Sequence, residues 1–144
     1  MLMAVSYPHI YLHVPFCGRR CSYCDFAIAV RKTVPVERYV ENVFKELVAR
    51  GIEFSTEPRT IYFGGGTPSK LGGAGIASLL HGIREFAGVD EFSTKVREVT
   101  VEANPEDISP QCGAILAGGR GEPGVTWGPI LRPRGAFLDA PWPY

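Results

Sequence analysis

The sequence has no excess of charge of either sign and no long apolar run. Its fifteen basic and fifteen acidic residues cancel, and no basic run exceeds Arg31-Lys32. Nothing electrostatic therefore indicates binding to nucleic acid or to an anionic membrane. No apolar stretch approaches the roughly 20 residues that a membrane-spanning helix needs, and the N-terminus lacks the charged and apolar segments of a signal peptide. These absences predict a cytoplasmic protein without a membrane span, in which thiols stay reduced.

Cysteine is also scarce, with four residues in the chain, but three of the four stand within eight residues of one another. Their spacing is C-x3-C-x2-C, and they are Cys17, Cys21 and Cys24. That span is too short for a disulfide framework, whereas a loop that folds back on itself can direct all three sulfurs at one object. Thiolates at such spacing suit zinc or an iron–sulfur cluster. The fourth, Cys112, lies far along the chain, and we expect it to be buried and unreactive.

The number of cysteines bears on which metal the group would hold. A structural zinc site takes four protein ligands, so a zinc loop here would have to borrow His13 or His9. A four-iron cluster on three cysteines leaves one iron without a protein ligand, open to a substrate or a cofactor. The three-thiol count favours the cluster, and the zinc loop remains the alternative.

The residues around the cysteines resemble those of a known protein family. The spacing, with Tyr23 before the last cysteine, resembles the cluster loop of radical S-adenosylmethionine (SAM) proteins. The flanks Tyr-Leu-His-Val-Pro-Phe-Cys and Cys-Asp-Phe resemble the oxygen-independent coproporphyrinogen III oxidase family. The oxidases proper usually carry a further cysteine where this chain has Phe26, so the chain is more similar to the family's heme-chaperone branch, of HemW type. The resemblance implies a [4Fe–4S] cluster on the three cysteines, with SAM bound to its open iron.

A glycine-rich turn extends the resemblance. Residues 60–63 predict a strand that runs into Gly64-Gly65-Gly66-Thr67-Pro68, where bare backbone lets a ligand approach closely. The turn resembles the family's Gly-Gly-Gly-Thr-Pro motif. That likeness implies that Gly65, Gly66 and Thr67 hold the methionine end of SAM.

Two further strands carry candidate SAM contacts. Residues 9–16 alternate, with Tyr11 and His13 on one face, and residues 97–104 alternate with Glu102 on the polar face. Glu-Ala-Asn-Pro resembles the family's third-strand motif, which implies that Glu102 accepts hydrogen bonds from the SAM ribose. The resemblance also implies that Tyr11 touches SAM and that Tyr23 contacts the adenine. We expect His13 to be a hydrogen-bonded structural residue.

The spacing of apolar residues predicts two helices, over 35–49 and 74–87, whose apolar stripes, Val48 included, form core. Strands alternating with helices predict an α/β fold with a parallel sheet. The resemblance implies that residues 1–117 form the N-terminal part of a partial, incomplete (β/α)6 barrel. The open edge of its third strand would then be a liability.

The composition changes after residue 117. Residues 118–144 hold six glycines and five prolines, against eighteen of both in the preceding 117 residues. This level of glycine and proline, without helical or strand period, predicts an irregular tail. A frameshift near codon 118 would also produce this abrupt loss of the regular spacing of apolar residues. We expect the other two reading frames of the downstream DNA to encode further barrel strands.

The resemblance leaves two functions open. A heme chaperone would bind heme and hand it to an acceptor protein. An oxidase would take electrons from a donor and direct a 5′-deoxyadenosyl radical at a porphyrinogen. A third possibility is an inactive truncated product.

Overall fold

The computed structural model describes residues 8–52, 54, 58–89 and 98–107, together with the backbone of residues 125–129. The strands and α-helices in chain order are β1 (His9–Val14), β2 (Phe16–Cys17), β3 (Ala29–Val30), α1 (Val36–Ala49), β4 (Thr60–Gly65), α2 (Gly72–Ala87), β5 (Glu98–Ala103) and β6 (Val125–Pro129). Short 3₁₀ turns cover Pro68–Leu71 and Pro105–Asp107. Among these residues, no helix has the length and apolarity that crossing a bilayer requires.

The main sheet has the strand order β1-β4-β5-β6, and every neighbouring pair is parallel. Its register aligns Tyr11 with Tyr62 and Tyr62 with Thr100. The predicted alternation is confirmed, because one face is buried while the other carries the tyrosines and Glu102. The buried face consists of Leu12, Val14, Ile61, Phe63, Val99, Val101 and Ala103. The predicted α/β class and the parallel sheet are therefore confirmed.

The helix α2 covers the buried face as its apolar spacing predicted. Its residues Ile76, Leu79 and Ile83 are almost fully buried and join the core of the sheet. The predicted end of the helix is also confirmed, because Gly88 adopts a left-handed conformation with φ +66°. One face of the sheet is thus closed by a helix.

The helix α1 corrects part of the predicted core. None of its residues is fully buried, although Tyr39, Val43 and Phe44 pack against the core. Val48, predicted to be core, is 67% exposed. The helical period of 3.6 residues places Val48 at the margin of the stripe, so only the centre of the stripe reaches α2 and the sheet.

The tail contains one regular element that the sequence analysis did not predict. Val125–Pro129 pairs in parallel with β5, from Val99 opposite Val125 to Ala103 opposite Pro129. The prediction of an irregular tail is therefore wrong for these five residues. Val125-Thr126-Trp127 alternates in register with Val99-Thr100-Val101, but three residues are too few to predict a strand from sequence. The rest of residues 118–144 and Cys112 lie outside the described residues.

Candidate functional site

The three cysteines lie on one loop at the carboxyl end of β1. This cysteine loop (residues 17–28) leaves from β2 and returns to β3, which pairs with β2 in parallel. The N–H groups of Ala29 and Arg31 donate to the carbonyls of Pro15 and Cys17, at 2.8 and 2.9 Å. Backbone bonds therefore close the base of the loop.

Within the described residues the three cysteines are thiols and not disulfides. Cys24 is buried, whereas Cys17 and Cys21 are half-buried. The N–H of Cys24 donates to the carbonyl of Cys21 at 3.1 Å, which makes a tight turn between them. In the same part of the chain no three His, Cys, Asp or Glu side chains stand together in metal-binding geometry. The structure thus brings the three thiols onto one loop, and their role as metal ligands stays a prediction.

The chemistry of this donor set fits an iron–sulfur cluster better than zinc. His13 cannot readily serve as a fourth zinc ligand, because both ring nitrogens have partners: Nδ1 lies 3.2 Å from the Tyr11 hydroxyl and Nε2 lies 3.0 Å from the Ala27 carbonyl. His9 contacts Thr60 at the opposite end of β1, and five residues of extended strand separate it from Val14 by roughly 16 Å. Among the described residues neither histidine completes a zinc site, and three thiols suit a four-iron cluster with one open iron.

His13 has the structural role predicted for it. A carbonyl oxygen only accepts hydrogen bonds, so Nε2 of His13 donates to Ala27, at the far end of the cysteine loop. Nδ1 then accepts from the Tyr11 hydroxyl. The histidine ties the last residues of the cysteine loop to the polar face of β1.

The glycine-rich turn packs directly on the start of the cysteine loop. The N–H groups of Gly66 and Thr67 donate to the carbonyls of Val14 and Phe16, both at 2.8 Å. The hydroxyl of Thr67, which is buried, donates to Sγ of Cys17 at 3.6 Å. The carboxyl ends of β1 and β4 therefore form one unit, with a hydroxyl directed at the first of the three sulfurs.

The structure gives a reason for glycine in this turn that the sequence analysis did not consider. A Cβ on Gly66 would lie 2.8 Å from the carbonyl atoms of Pro15 and from the carbonyl oxygen of Phe16. A Cβ on Gly65 would lie 2.6 Å from the His13 ring, and Gly65 has φ +113°, which other residues rarely adopt. The space beside both glycines is filled by the chain itself. Contacts from Gly65, Gly66 and Thr67 to SAM stay a prediction.

The polar face of the sheet joins Glu102 to a pair of tyrosines. The Tyr62 hydroxyl donates to Oε1 of Glu102 at 2.6 Å. Tyr11 stacks on Tyr62, with ring centroids 6.0 Å apart, and is 59% exposed. Burial, the hydrogen bond to Glu102 and its charge raise the pKa of Tyr62 well above its ordinary value. Tyr62 therefore stays a donor at neutral pH, and Glu102 retains lone pairs for further donors.

A second polar group joins the end of β5 to the turn after β4. Asp107 accepts from Ser69 Oγ at 2.8 Å and lies 3.3 Å from Nζ of Lys70. Asn104 Nδ2 donates to the same carboxylate at 3.4 Å. The sequence analysis missed this group and Tyr62. The alternation of β4 could have placed Tyr62 on the face of Tyr11, whereas no local pattern connects Lys70 with Asp107.

Tyr23 stands on the cysteine loop and is 63% exposed. Phe26, on the same loop, is 57% exposed. The structure thus brings the cysteine loop and the glycine-rich turn to one end of the parallel sheet, with Tyr11 and Glu102 on the polar face beside them. Whether Tyr23 contacts adenine stays a prediction.

Comparison with known proteins identifies the class to which this site belongs. Residues 11–119 match the radical SAM superfamily. The chain belongs to the radical SAM superfamily, as the cysteine spacing predicted.

Within that superfamily the chain is similar to heme chaperones. It is 40% identical to heme chaperone HemW of Lactococcus lactis over 107 residues, which are 74% of this chain and 26% of the relative. It is 37% identical to HemW of Escherichia coli over 105 residues, which are 69% of this chain and 26% of the relative. The chain thus spans about a quarter of the length of these relatives. The predicted resemblance to the HemW type is confirmed.

A solved structure supports the same relationship. The structure of coproporphyrinogen III oxidase (HemN) from Escherichia coli, a radical SAM enzyme, is similar with a TM-score of 0.63. The two chains are 26% identical, and the similarity covers 78% of this chain and 26% of the oxidase. The parallel sheet and its helices are therefore a fold that a radical SAM enzyme also has.

Proposed function

We propose that this chain is the cluster- and SAM-binding part of a heme chaperone similar to HemW. Cys17, Cys21 and Cys24 would hold a [4Fe–4S] cluster through their thiolates. The observation that carries the proposal is the contact between the glycine-rich turn and the cysteine loop, where the Thr67 hydroxyl meets Sγ of Cys17. That contact joins the cysteine motif, which would hold the cluster, to the glycine-rich motif, which would hold SAM. The parallel sheet would be the first part of a partial (β/α)6 barrel.

When bound, the cluster would supply the electron that an oxidase uses to cleave SAM, whereas in a chaperone the cluster and SAM would be accessories. The residues of this chain would bind and orient the two cofactors. Glu102 would accept hydrogen bonds from the ribose hydroxyls, while the Tyr62 hydroxyl holds Oε1 of its carboxylate in place. Tyr11, exposed beside Tyr62, and Tyr23, exposed on the cysteine loop, would offer ring faces to the ligand. Gly65 and Gly66 would contribute backbone groups, since the chain itself fills the space at their Cβ positions.

Phe26 supports the chaperone over the oxidase. The oxidases of the family usually carry a cysteine at this position, and an exposed phenylalanine cannot supply a thiolate. The chaperone would bind heme and transfer it to an acceptor protein in the cytoplasm.

The second candidate is a coproporphyrinogen III oxidase that uses an electron donor and a porphyrinogen, and the similarity to HemN favours it. Because the chain spans about a quarter of its relatives, activity and partners belong to the proposal.

Anaerobic reconstitution with iron and sulfide tests the proposed function. We expect about one four-iron cluster per chain, SAM binding, and a heme titration that saturates without release of 5′-deoxyadenosine. Release of 5′-deoxyadenosine with a porphyrinogen would support the oxidase instead. A chain that takes up stoichiometric zinc and no iron would contradict both candidates.

Replacing Glu102 by Gln tests the SAM contact. The amide keeps one acceptor oxygen but loses the charge, so we expect SAM affinity to fall about fivefold, or about 1 kcal/mol. Equilibrium dialysis of SAM against the reconstituted chain measures the change. Glu98→Gln, the same substitution at the other end of β5, is the matched control and should leave the affinity at the parent value. Equal affinity of Glu102→Gln and the parent would remove Glu102 from the proposed site.

A further inference from the structure

The cationic side chain of Lys70 lies against the cysteine loop, which itself carries the exposed Arg19 and Arg20. The N–H of Lys70 donates to the carbonyl of Thr67 at 3.0 Å, so Lys70 follows the glycine-rich turn by one 3₁₀ turn. Its side chain reaches Gly18, the residue after Cys17. A Cβ on Gly18 would lie 3.7 Å from Cε and 3.8 Å from Nζ of Lys70. An ammonium group is therefore beside the segment that joins the first two cysteines.

Asp107 holds this lysine in place. Its carboxylate is 3.3 Å from Nζ of Lys70, and the two side chains are only 14% and 33% exposed, respectively. Ser69 and Asn104 donate to the same carboxylate. Lys70 thus differs from a surface lysine such as Lys45, which is 67% exposed in its pair with Glu41. A partly buried charge acts on its surroundings with less screening than an exposed one.

A fixed positive charge beside an iron–sulfur cluster changes the energy of its reduction. Reduction adds one electron, and a nearby cation stabilises the added negative charge while a nearby anion destabilises it. Hydrogen bonds to the cluster's sulfurs act in the same direction as a cation. The Thr67 hydroxyl donates to Sγ of Cys17, a sulfur that would bind the cluster. The turn after β4 therefore directs both a hydroxyl and an ammonium group at the cysteine loop.

We propose that Lys70, positioned by Asp107, raises the reduction potential of the cluster held on the cysteine loop. The inference rests on the proposed function, since it needs the cluster to be there. Asp107 has two opposed effects: it anchors the ammonium group, and its own charge offsets part of the ammonium's field. Lys70 would act on the cluster through its charge alone, without contacting the iron atoms or SAM.

The midpoint potential of the reconstituted 144-residue chain tests the inference. Dithionite supplies the single electron, and the spectrum of the reduced cluster reports how far reduction has gone. We expect Lys70→Gln to shift the midpoint to a more negative potential and Asp107→Asn to shift it to a more positive one. Both variants break the same ion pair, so a purely structural role would shift the two potentials in the same direction. Shifts of opposite sign in the midpoint potentials of the two variants would indicate an electrostatic effect.

Two further variants keep the test decisive. Lys70→Arg retains the charge and should retain the parent potential even if Lys70→Gln takes up less iron. Lys45→Gln, on the exposed face of α1, should leave the potential unchanged. A parent chain that takes up no iron overturns the proposed function and this inference with it. A loaded parent whose potential is unmoved in Lys70→Gln, or moves in the same direction in both Lys70→Gln and Asp107→Asn, overturns the inference alone.

Discussion

Replacing Cys21 by Ser is expected to abolish iron uptake and the brown colour of the reconstituted chain. A serine hydroxyl is a far poorer ligand for iron than a thiolate. The backbone carbonyl of Cys21 also accepts a hydrogen bond from the N–H of Cys24 within the loop. A serine at position 21 preserves that bond. The loss of iron should therefore come without a comparable loss of folding stability. Iron and sulfide per chain, measured beside the thermal unfolding midpoint, separate the two effects.

The fourth cysteine supplies the control for this experiment. Cys112→Ser should take up as much iron as the parent, because we expect Cys112 to be an unreactive thiol outside the site. Cys17→Ser and Cys24→Ser should behave like Cys21→Ser. If Cys21→Ser retained a full complement of iron, or if Cys112→Ser lost it, the assignment of the three ligands would be wrong.

Replacing Gly66 by Ala is expected to destabilise the fold and to weaken iron uptake together. The added methyl group would lie 2.8 Å from backbone carbonyl atoms of Pro15 and Phe16, which cannot rotate away as a side chain can. Overpacking of this kind costs about 1–3 kcal/mol of unfolding free energy. It would also push the glycine-rich turn off the cysteine loop. Denaturant unfolding and iron per chain measure the two consequences.

Gly18 offers a matched control on the cysteine loop itself. A Cβ there meets only the flexible end of Lys70, at ordinary contact distance. Neither Gly18 nor Gly66 has a positive φ, so the two substitutions differ in space and not in backbone strain. Gly18→Ala should change the unfolding free energy by less than about 0.5 kcal/mol. Equal stability of the two variants would show that the turn can move away from β1 without cost.

The helices and strands near the site followed closely from local patterns. The alternation of residues 97–104 predicted which side chains of β5 are buried, and Val99, Val101 and Ala103 are the buried ones. The helical stripe of α2 was predicted equally well. The prediction that Val48 of α1 is buried is wrong, because the spacing of apolar residues does not show how much of the stripe packs against other elements.

The glycine-rich turn shows where a local interpretation was incomplete. Three glycines after a strand indicate a close approach of some kind, but they do not say what approaches. In the structure the neighbours are the chain's own Pro15, Phe16 and His13. The tail shows the converse case, since the alternation in Val125–Pro129 is too short to predict a strand, and the segment still pairs with β5. Backbone pairing with an available edge depends on that edge, which lies elsewhere in the chain.

The sequence by itself determined the class of the protein, because the spacing of thiols and of apolar residues is local information that survives in the unfolded chain. Only the tertiary structure decided which distant side chains meet. Thr67 reaches Cys17 across 50 residues, Tyr62 reaches Glu102 across 40, and Lys70 reaches Asp107 across 37. The parallel register of β1, β4 and β5 brings their carboxyl ends to one edge. That register is set by hydrogen bonds between strands and by burial of the shared face, which no single segment contains.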